Sequence, residues 1–305
     1  MDIYEKYKKI EDLPIATTVQ EPETNKNLVG VIHILHGMCE HKGRYKEMMN
    51  FFSSHGYICV ISDMRGHGEN VEYIKDLGYF GENGADLLVE DVHAVNVYIH
   101  NTFPDLPVIL VAHSMGSVVG RAFLKKYDAD VDCVFLSGSP SDSLAKYIGF
   151  FISELQSLVF EDTDNSRILD YYFSGRLKNK FSEEDNNSWL CKDKEIIEKY
   201  NNDEKCSFTF KINGYNALFR LMIRIYSRRG WSVKNSRLPI YVIVGSEDVF
   251  VGNEKKIRQQ LRLLKSVGYE NVKYHTFEGM RHEIFNEPDH MLVWKYMLSK
   301  LKKRL

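Results

Sequence analysis

The stretch "VAHSMGS" puts Ser114 two residues after Ala112 and two before Gly116. An apolar run of strand length, "VILVAH" at 108–113, precedes it, and an amphipathic helical pattern follows. At a tight strand-to-helix turn a serine hydroxyl is pushed out above the C-terminal edge of a sheet. The turn is strained, so its neighbours two before and two after must be very small. The helix that follows aims its positive N-terminal end at the serine, where negative charge would develop. These residue types suit nucleophilic attack on a carbonyl.

A serine nucleophile needs a base, and the base needs an orienting carboxylate. In folds built on such an elbow the chain order is serine, acid, histidine, each after a strand. The run "PIYVIVG" at 239–245 is followed by Glu247 and Asp248, and "NVKYHTF" at 271–277 is followed by His282. Position alone allows either carboxylate. An oxyanion also needs two backbone N–H groups. The amide of Met115, next to the serine, is one candidate. The second is the amide of Met38, after Gly37 in the loop "HGMCEHKGRY".

Other polar residues compete for roles. His33 lies inside a strand-like run and reads as core, while His113 would pack beside the elbow. His36, His41 and His67 fall in loops at the same sheet edge, but their spacing is that of no recognisable metal site. Ser139 and Ser246 follow strands without the small neighbours an elbow requires. Neither a metal nor an organic cofactor is expected.

These groups need elements to hold them. Apolar runs recur at 28–35, 57–63, 108–113, 132–138, 239–245 and 271–277. Continuous runs suit strands covered on both faces, as in parallel sheets. Helical patterns alternate with them, one carrying Leu88, Val92, Val95 and Ile99, another Ile257, Leu261 and Leu264. Strand–helix alternation predicts a doubly wound, mostly parallel α/β sheet. The alternation breaks between about Ser141 and Asn235, where the pattern is helical and "SFTFKI" is the one strand candidate. The expected organisation is a core in two parts, 1–140 and 236–305, with a helical cap inserted at 141–235. In "YIGFFISELQSLVF" an apolar stripe includes Ile148, Phe151, Ile152 and Leu155. Phe151 and Leu155 are predicted to contact an apolar substrate, the alternative being that the stripe packs the cap onto the core.

Composition bounds the partners. The chain has 305 residues, 44% of them hydrophobic, and a formal net charge of -2 with acidic and basic residues mixed. That excludes the clustered basic footprint of a nucleic-acid binder. The basic stretches "RLLKSVGYENVK" and "SKLKKRL" read as solvated helix faces. Five scattered cysteines with no CxxC pair support neither a disulfide framework nor a zinc site. The charged start "MDIYEKYKKIEDLP" lacks the apolar core of a signal peptide, and no run reaches the ~18 apolar residues of a membrane span. A soluble, cytoplasmic protein is expected.

The motifs "HGMCEHKGRY", "DMRGHGEN", "AHSMGS", "GSEDVFV" and "MRHEIFNE" resemble the α/β-hydrolase group of monoacylglycerol lipases, bacterial lysophospholipases and serine aminopeptidases. The resemblance covers roughly Leu28 to Asp142 and Leu238 to the C-terminus, and the cap segment "SWLCKDKEIIEKYNNDEKCSFTF" is similar to that of lysophospholipase-type members. It implies the α/β-hydrolase fold, Ser114 as nucleophile, Asp248 as acid and His282 as base, with the Met38 and Met115 amides as oxyanion hole. It makes Glu40 and Arg44 structural partners near the site. The departures are Ala112 where glycine is usual and Ser117 where a second glycine is common. The expected activity is hydrolysis of single-chain acyl esters, such as monoacylglycerols or lysophospholipids, with transient contact between cap and membrane surface. The alternatives are a peptidase or amidase using the same residues, and a hydrolase-fold binding protein. The expected acid limb of activity lies near the ~6.5 of an ordinary histidine.

Overall fold

In the computed structural model, which describes residues 8–9, 15–23, 28–175, 177, 181 and 185–302, the apolar runs become strands of one sheet. The strands are β1 (Lys8–Lys9), β2 (Thr17–Gln20), β3 (Gly30–Leu35), β4 (Tyr57–Ser62), β5 (Val108–His113), β6 (Cys133–Ser137), β7 (Ile240–Gly245) and β8 (Val272–Phe277). Their order across the sheet is β1-β2-β4-β3-β5-β6-β7-β8. Strands β3 to β8 are parallel, and β1 and β2 add an antiparallel edge beside β4. That edge is not expected from the sequence. The charged opening segment and the end of the basic tail lie largely outside the described residues.

The helices are α1 (Lys46–Ser53), α2 (Gly84–Thr102), α3 (Met115–Tyr127), α4 (Ala145–Ser157), α5 (Arg167–Asp170), α6 (Lys194–Asn202), α7 (Ile212–Tyr226), α8 (Glu254–Ser266) and α9 (His290–Leu301). They cover both faces of the sheet. Val31, Leu35, Val60 and Leu110 pack with Leu88 and Val92 of α2 and Phe123 of α3. Their strand neighbours Ile32, Ile34, Ile61 and Ile109 pack on the other face with Phe52 of α1 and Met297 of α9. Successive strand residues point to opposite faces, so two covered faces demand unbroken apolar runs. His33 is an exception within β3. It is fully buried, neither ring nitrogen has a hydrogen-bond partner among the described residues, and burial lowers its pKa to about 3.

Between β6 and β7 the chain forms α4 to α7, with no strand among the described residues. The strand candidate "SFTFKI" is corrected here: it contributes a single antiparallel bridge, Lys211 to Asn165. Two serial aromatic residues, Phe208 and Phe210, are instead drawn into a ring cluster with His67 and Phe80. Helix α4 lies against α7, and α7 in turn lies on α2 and α3. No helix among the described residues is long and apolar enough to cross a membrane.

Candidate active site

Ser114 occupies the one-residue joint between β5 and α3, with φ 50° and ψ -116°. A non-glycine residue at positive φ is strained, and it persists because the surroundings hold it. Ser114 N–H donates to Ser137 O at 2.8 Å, fixing the joint to β6. The need for Gly116 is steric, since a Cβ there would stand 2.5 Å from the carbonyl oxygens of Leu35 and His36. Ala112 is tolerated because Gly120 faces it; a Cβ at 120 would lie only 3.2 Å from the Ala112 methyl.

The other two groups emerge at the same sheet edge. Asp248 follows β7 and His282 follows β8, and both are buried. His282 Nε2 lies 2.9 Å from Ser114 Oγ, and its Nδ1 lies 2.9 Å from Asp248 Oδ2. The other Asp248 oxygen accepts from the N–H groups of Phe250 at 2.9 Å and Val251 at 3.1 Å. Burial alone would raise the Asp248 pKa, but the His282 charge and these hydrogen bonds outweigh it and lower the value. Burial alone would lower the His282 pKa, and Asp248 reverses that to a net rise above 6.5. A histidine so paired accepts a proton more readily than a free one. Glu247, by contrast, is 41% exposed and pairs with Lys192 at 2.8 Å, away from His282. Strand position leaves the two carboxylates open and the resemblance points to Asp248; it is Asp248 whose Oδ2 lies beside the ring.

His113 packs beside the elbow, its ring centroid 5.0 Å from that of His282. Burial first, then the His282 charge, lowers its pKa to about 4, so it is neutral at neutral pH.

The loop after β3 is tied down by a buried carboxylate. Glu40 accepts from Gly37 N–H, from Tyr45 OH at 2.9 Å and from Arg44 at 2.7 Å. Arg44 also grips both oxygens of Glu283, at 2.8 and 2.7 Å. Burial would raise the Glu283 pKa, but the guanidinium brings it down to about 2. Glu283 is the neighbour of His282, so this pair joins the Met38 loop to the histidine loop. Beside Met38, the N–H groups of Gly37 and Cys39 are used by Glu40 and His67. Neither Met38 N–H nor Met115 N–H faces an intramolecular acceptor among the described residues.

The three loop histidines do not converge on a metal. His36 Nε2 accepts from Met64 N–H, and His67 Nε2 from Cys39 N–H. His41, Asp203 and Cys206 do bring ligand atoms within 4.8 Å of one another. However, His41 Nδ1 accepts from Gly43 N–H, so the ring proton sits on Nε2 and points at Asp203, 2.8 Å away. A metal at Nε2 would need that proton moved to Nδ1, against the Gly43 donor. The trio fits a hydrogen bond better than an ion.

A cavity of about 130 Å³ opens at Ser114, walled by Met38, Phe173, Trp189, Leu190, Phe208 and Phe250. Trp189 and Phe250 stand against the His282 ring, at 5.1 and 5.2 Å between centroids. Phe151 and Leu155 are not on this wall; they are 62% and 48% exposed. The face that α4 turns inward carries Gly149 and Ser153, because the Phe219 ring of α7 presses where a Cβ at 149 would be. Sequence reasoning missed the aromatic wall. Phe173 and Trp189 lie outside any periodic pattern and Phe208 fell in the strand candidate "SFTFKI", although Phe250, two residues beyond Asp248, was within reach of the motif.

Residues 26–289 match the protein family described as "Serine aminopeptidase, S33". The chain is 24% identical over 289 residues to a monoacylglycerol lipase of Mycolicibacterium smegmatis, covering 92% of this chain and 89% of that one. It is 26% identical over 269 residues to phospholipase YtpA of Bacillus subtilis, covering 88% and 93%. A thermostable carboxyl esterase from Bacillus coagulans, solved with glycerol, superposes with a TM-score of 0.86 at 22% identity, covering 95% and 94%.

Proposed function

The chain belongs to the serine aminopeptidase S33 family and has the α/β-hydrolase fold, and from that premise we propose that it hydrolyses carboxylic esters of a single acyl chain, a monoacylglycerol or a lysophospholipid. The observation that carries the reading is the hydrogen-bonded line Ser114–His282–Asp248 opening into an aromatic-walled cavity. His282 takes the Ser114 proton as Oγ attacks the ester carbonyl. The Met38 and Met115 amides receive the oxyanion. The imidazolium, held by Asp248, then gives its proton to the leaving alcohol. Water activated by His282 cleaves the acyl-enzyme and releases the acid. The names of the two full-length relatives, a monoacylglycerol lipase and a phospholipase, support an acyl-ester substrate. The apolar wall of Phe173, Trp189, Phe208 and Phe250 supports an acyl group as the part of the substrate bound beside Ser114.

The insertion at 141–235 acts in this reading as a cap, and the exposed apolar face of α4 as its contact with a lipid surface. All five cysteines are buried and scattered along the chain with no CxxC pair, which fits a reducing cytoplasmic compartment. A second reading, cleavage of an aminoacyl amide by the same three groups, has one observation in its favour: the matched family is described as a serine aminopeptidase. An acyl-length series of p-nitrophenyl and glyceryl esters, run beside aminoacyl amides, tests both. Turnover of the esters with a fluorophosphonate adduct on Ser114 is expected. Faster turnover of the amides would favour the second reading, and no adduct with no turnover would revive a non-catalytic binding protein.

A further inference from the structure

The loop carrying His282 is fastened from two sides, the sheet and the insertion. Residues 188–192 of the insertion lie along residues 281–287, and most of the contacts run through backbone atoms. Glu283 N–H donates to Leu190 O at 2.7 Å. The Arg281 guanidinium donates to Ser188 O at 2.6 Å and to Cys191 O at 3.5 Å. At the centre is Glu287, only 1% exposed. One of its oxygens accepts from Arg281 N–H at 2.6 Å, and the other from Lys192 N–H at 3.1 Å. The same segment supplies Trp189, whose ring stands 5.1 Å from that of His282.

Burying a carboxylate is costly unless its oxygens are satisfied. Here one oxygen is satisfied by the residue preceding His282 and the other by the insertion. The second could not be met if the two segments separated, which would leave a buried carboxylate oxygen without its donor. We propose that Glu287 is a positioning residue for His282, clasping residues 188–192 of the insertion to the histidine loop so that the ring stays in line with both Ser114 and Asp248. The insertion is then part of what holds the base and not only a cover over the cavity. This inference rests on the proposed serine-hydrolase reading.

The test compares wild type with Glu287→Gln, which keeps the shape but leaves one acceptor oxygen and turns an NH2 group toward the other N–H. Misplacement of a reacting group by about 1 Å can cost ~10²-fold. We expect kcat to fall about 10- to 100-fold per fluorophosphonate-titrated site, with KM changed less than about 2-fold. The acid limb of kcat/KM should also move to lower pH, because a ring drawn off Asp248 loses the pull that raises its pKa. Arg281→Met, which releases the Ser188 and Cys191 carbonyls, should move both readouts the same way and decides the matter if Glu287→Gln does not fold. A kcat per site within about 2-fold of wild type and an unmoved acid limb would overturn the proposal, as would a loss confined to the number of titratable sites. Wild type that neither labels at Ser114 nor turns over esters would instead sink the reading beneath it.

Discussion

The insertion between β6 and β7 meets its surroundings in two unlike ways. Along α4 and just after it, Ile148, Phe151, Leu155, Leu158 and Val159 stand exposed, an apolar face that nothing in the described chain covers. Along residues 188–192 the insertion is turned inward and joined to the histidine loop by hydrogen bonds to which the insertion contributes mostly main-chain atoms. The first surface is one of apolar side chains left exposed by the described chain. The second is built of main chain for the molecule itself. The difference separates two tasks usually given to a cap as a whole. The outer face would govern how substrate is reached, and the inner segment how the catalytic groups stand once it arrives.

The largest effects should come from the sheet edge, which sets the scale for both surfaces. Ser114→Ala is expected to lower ester hydrolysis by several orders of magnitude with the melting temperature little changed. Residual turnover near wild type in a folded variant would remove Ser114 as the nucleophile. Asp248→Asn should lower kcat by up to ~10⁴-fold, since the ring would lose both its tautomer and its stabilising charge. Glu247→Gln should change kcat less than a few-fold. Its bond to Lys192 does link the sheet edge to the inner segment, but both partners are more than a third exposed, and such pairs contribute about 0–1 kcal/mol. A steep loss in Glu247→Gln would mean that the exposed link, and not the buried clasp, holds the inner segment.

Acid should then separate the base from the framework around it. The His282 pKa lies above 6.5, so the acid limb of kcat/KM is expected above pH 6.5, higher than an unpaired histidine would place it. This loss should be reversible. The framework histidines shift the opposite way. Burial lowers His33 and His67 to about 3 and His113 to about 4. A depressed histidine binds its proton more readily unfolded than folded, so folded stability falls as pH drops below 6.5 toward those values. At pH 5 the loss is about 2 kcal/mol per ring. Denaturant melts at pH 7.5 and 5 should show it, and His33→Leu, which removes a ring with no hydrogen bonds to lose, should flatten the dependence. Equal stability at the two pH values would contradict the buried neutral rings.

Much of this was legible in residue types. Runs such as "VILVAH" are apolar because both sheet faces are covered, and they located β3 to β8 within two residues. Ser114, Asp248 and His282 could be found because each follows the end of one of those strands. The edge strands β1 and β2 could not. Two and four residues long, they carry no run that stands out, and their pairing with each other and with β4 is long-range. The stripe on α4 was visible as a period but not as a direction, because what turns it outward is the small Gly149 on the opposite side, pressed by Phe219 of a helix some seventy residues away. The inner segment was the least legible of all. A carbonyl or an N–H is present at nearly every position, so bonds made by Ser188, Leu190 and Lys192 through their main chain leave no mark in the choice of residue.

The smallest expected effect sharpens the comparison most, because it should appear on one kind of substrate and not on another. Phe151→Ser and Leu155→Ser remove exposed apolar groups that touch neither the cavity nor the inner segment. Turnover of a dissolved short-chain ester should therefore stay within about 2-fold, and stability within the ~0.5 kcal/mol usual for surface substitutions. With esters presented in vesicles or micelles the same side chains would enter an apolar phase. Full burial of each is worth roughly 1.5–3 kcal/mol, and partial burial about half of that, which predicts a several-fold weaker response to substrate surface per substitution. Trp189→Ala, on the cavity wall beside His282, should do the reverse and impair both presentations alike. Rates on dissolved and aggregated ester, measured for all three variants, give the answer. Equal losses on both substrates in Phe151→Ser and Leu155→Ser would mean that the α4 face helps to hold the cap in place, and the division between an outer face for the substrate phase and an inner segment for the catalytic groups would fail.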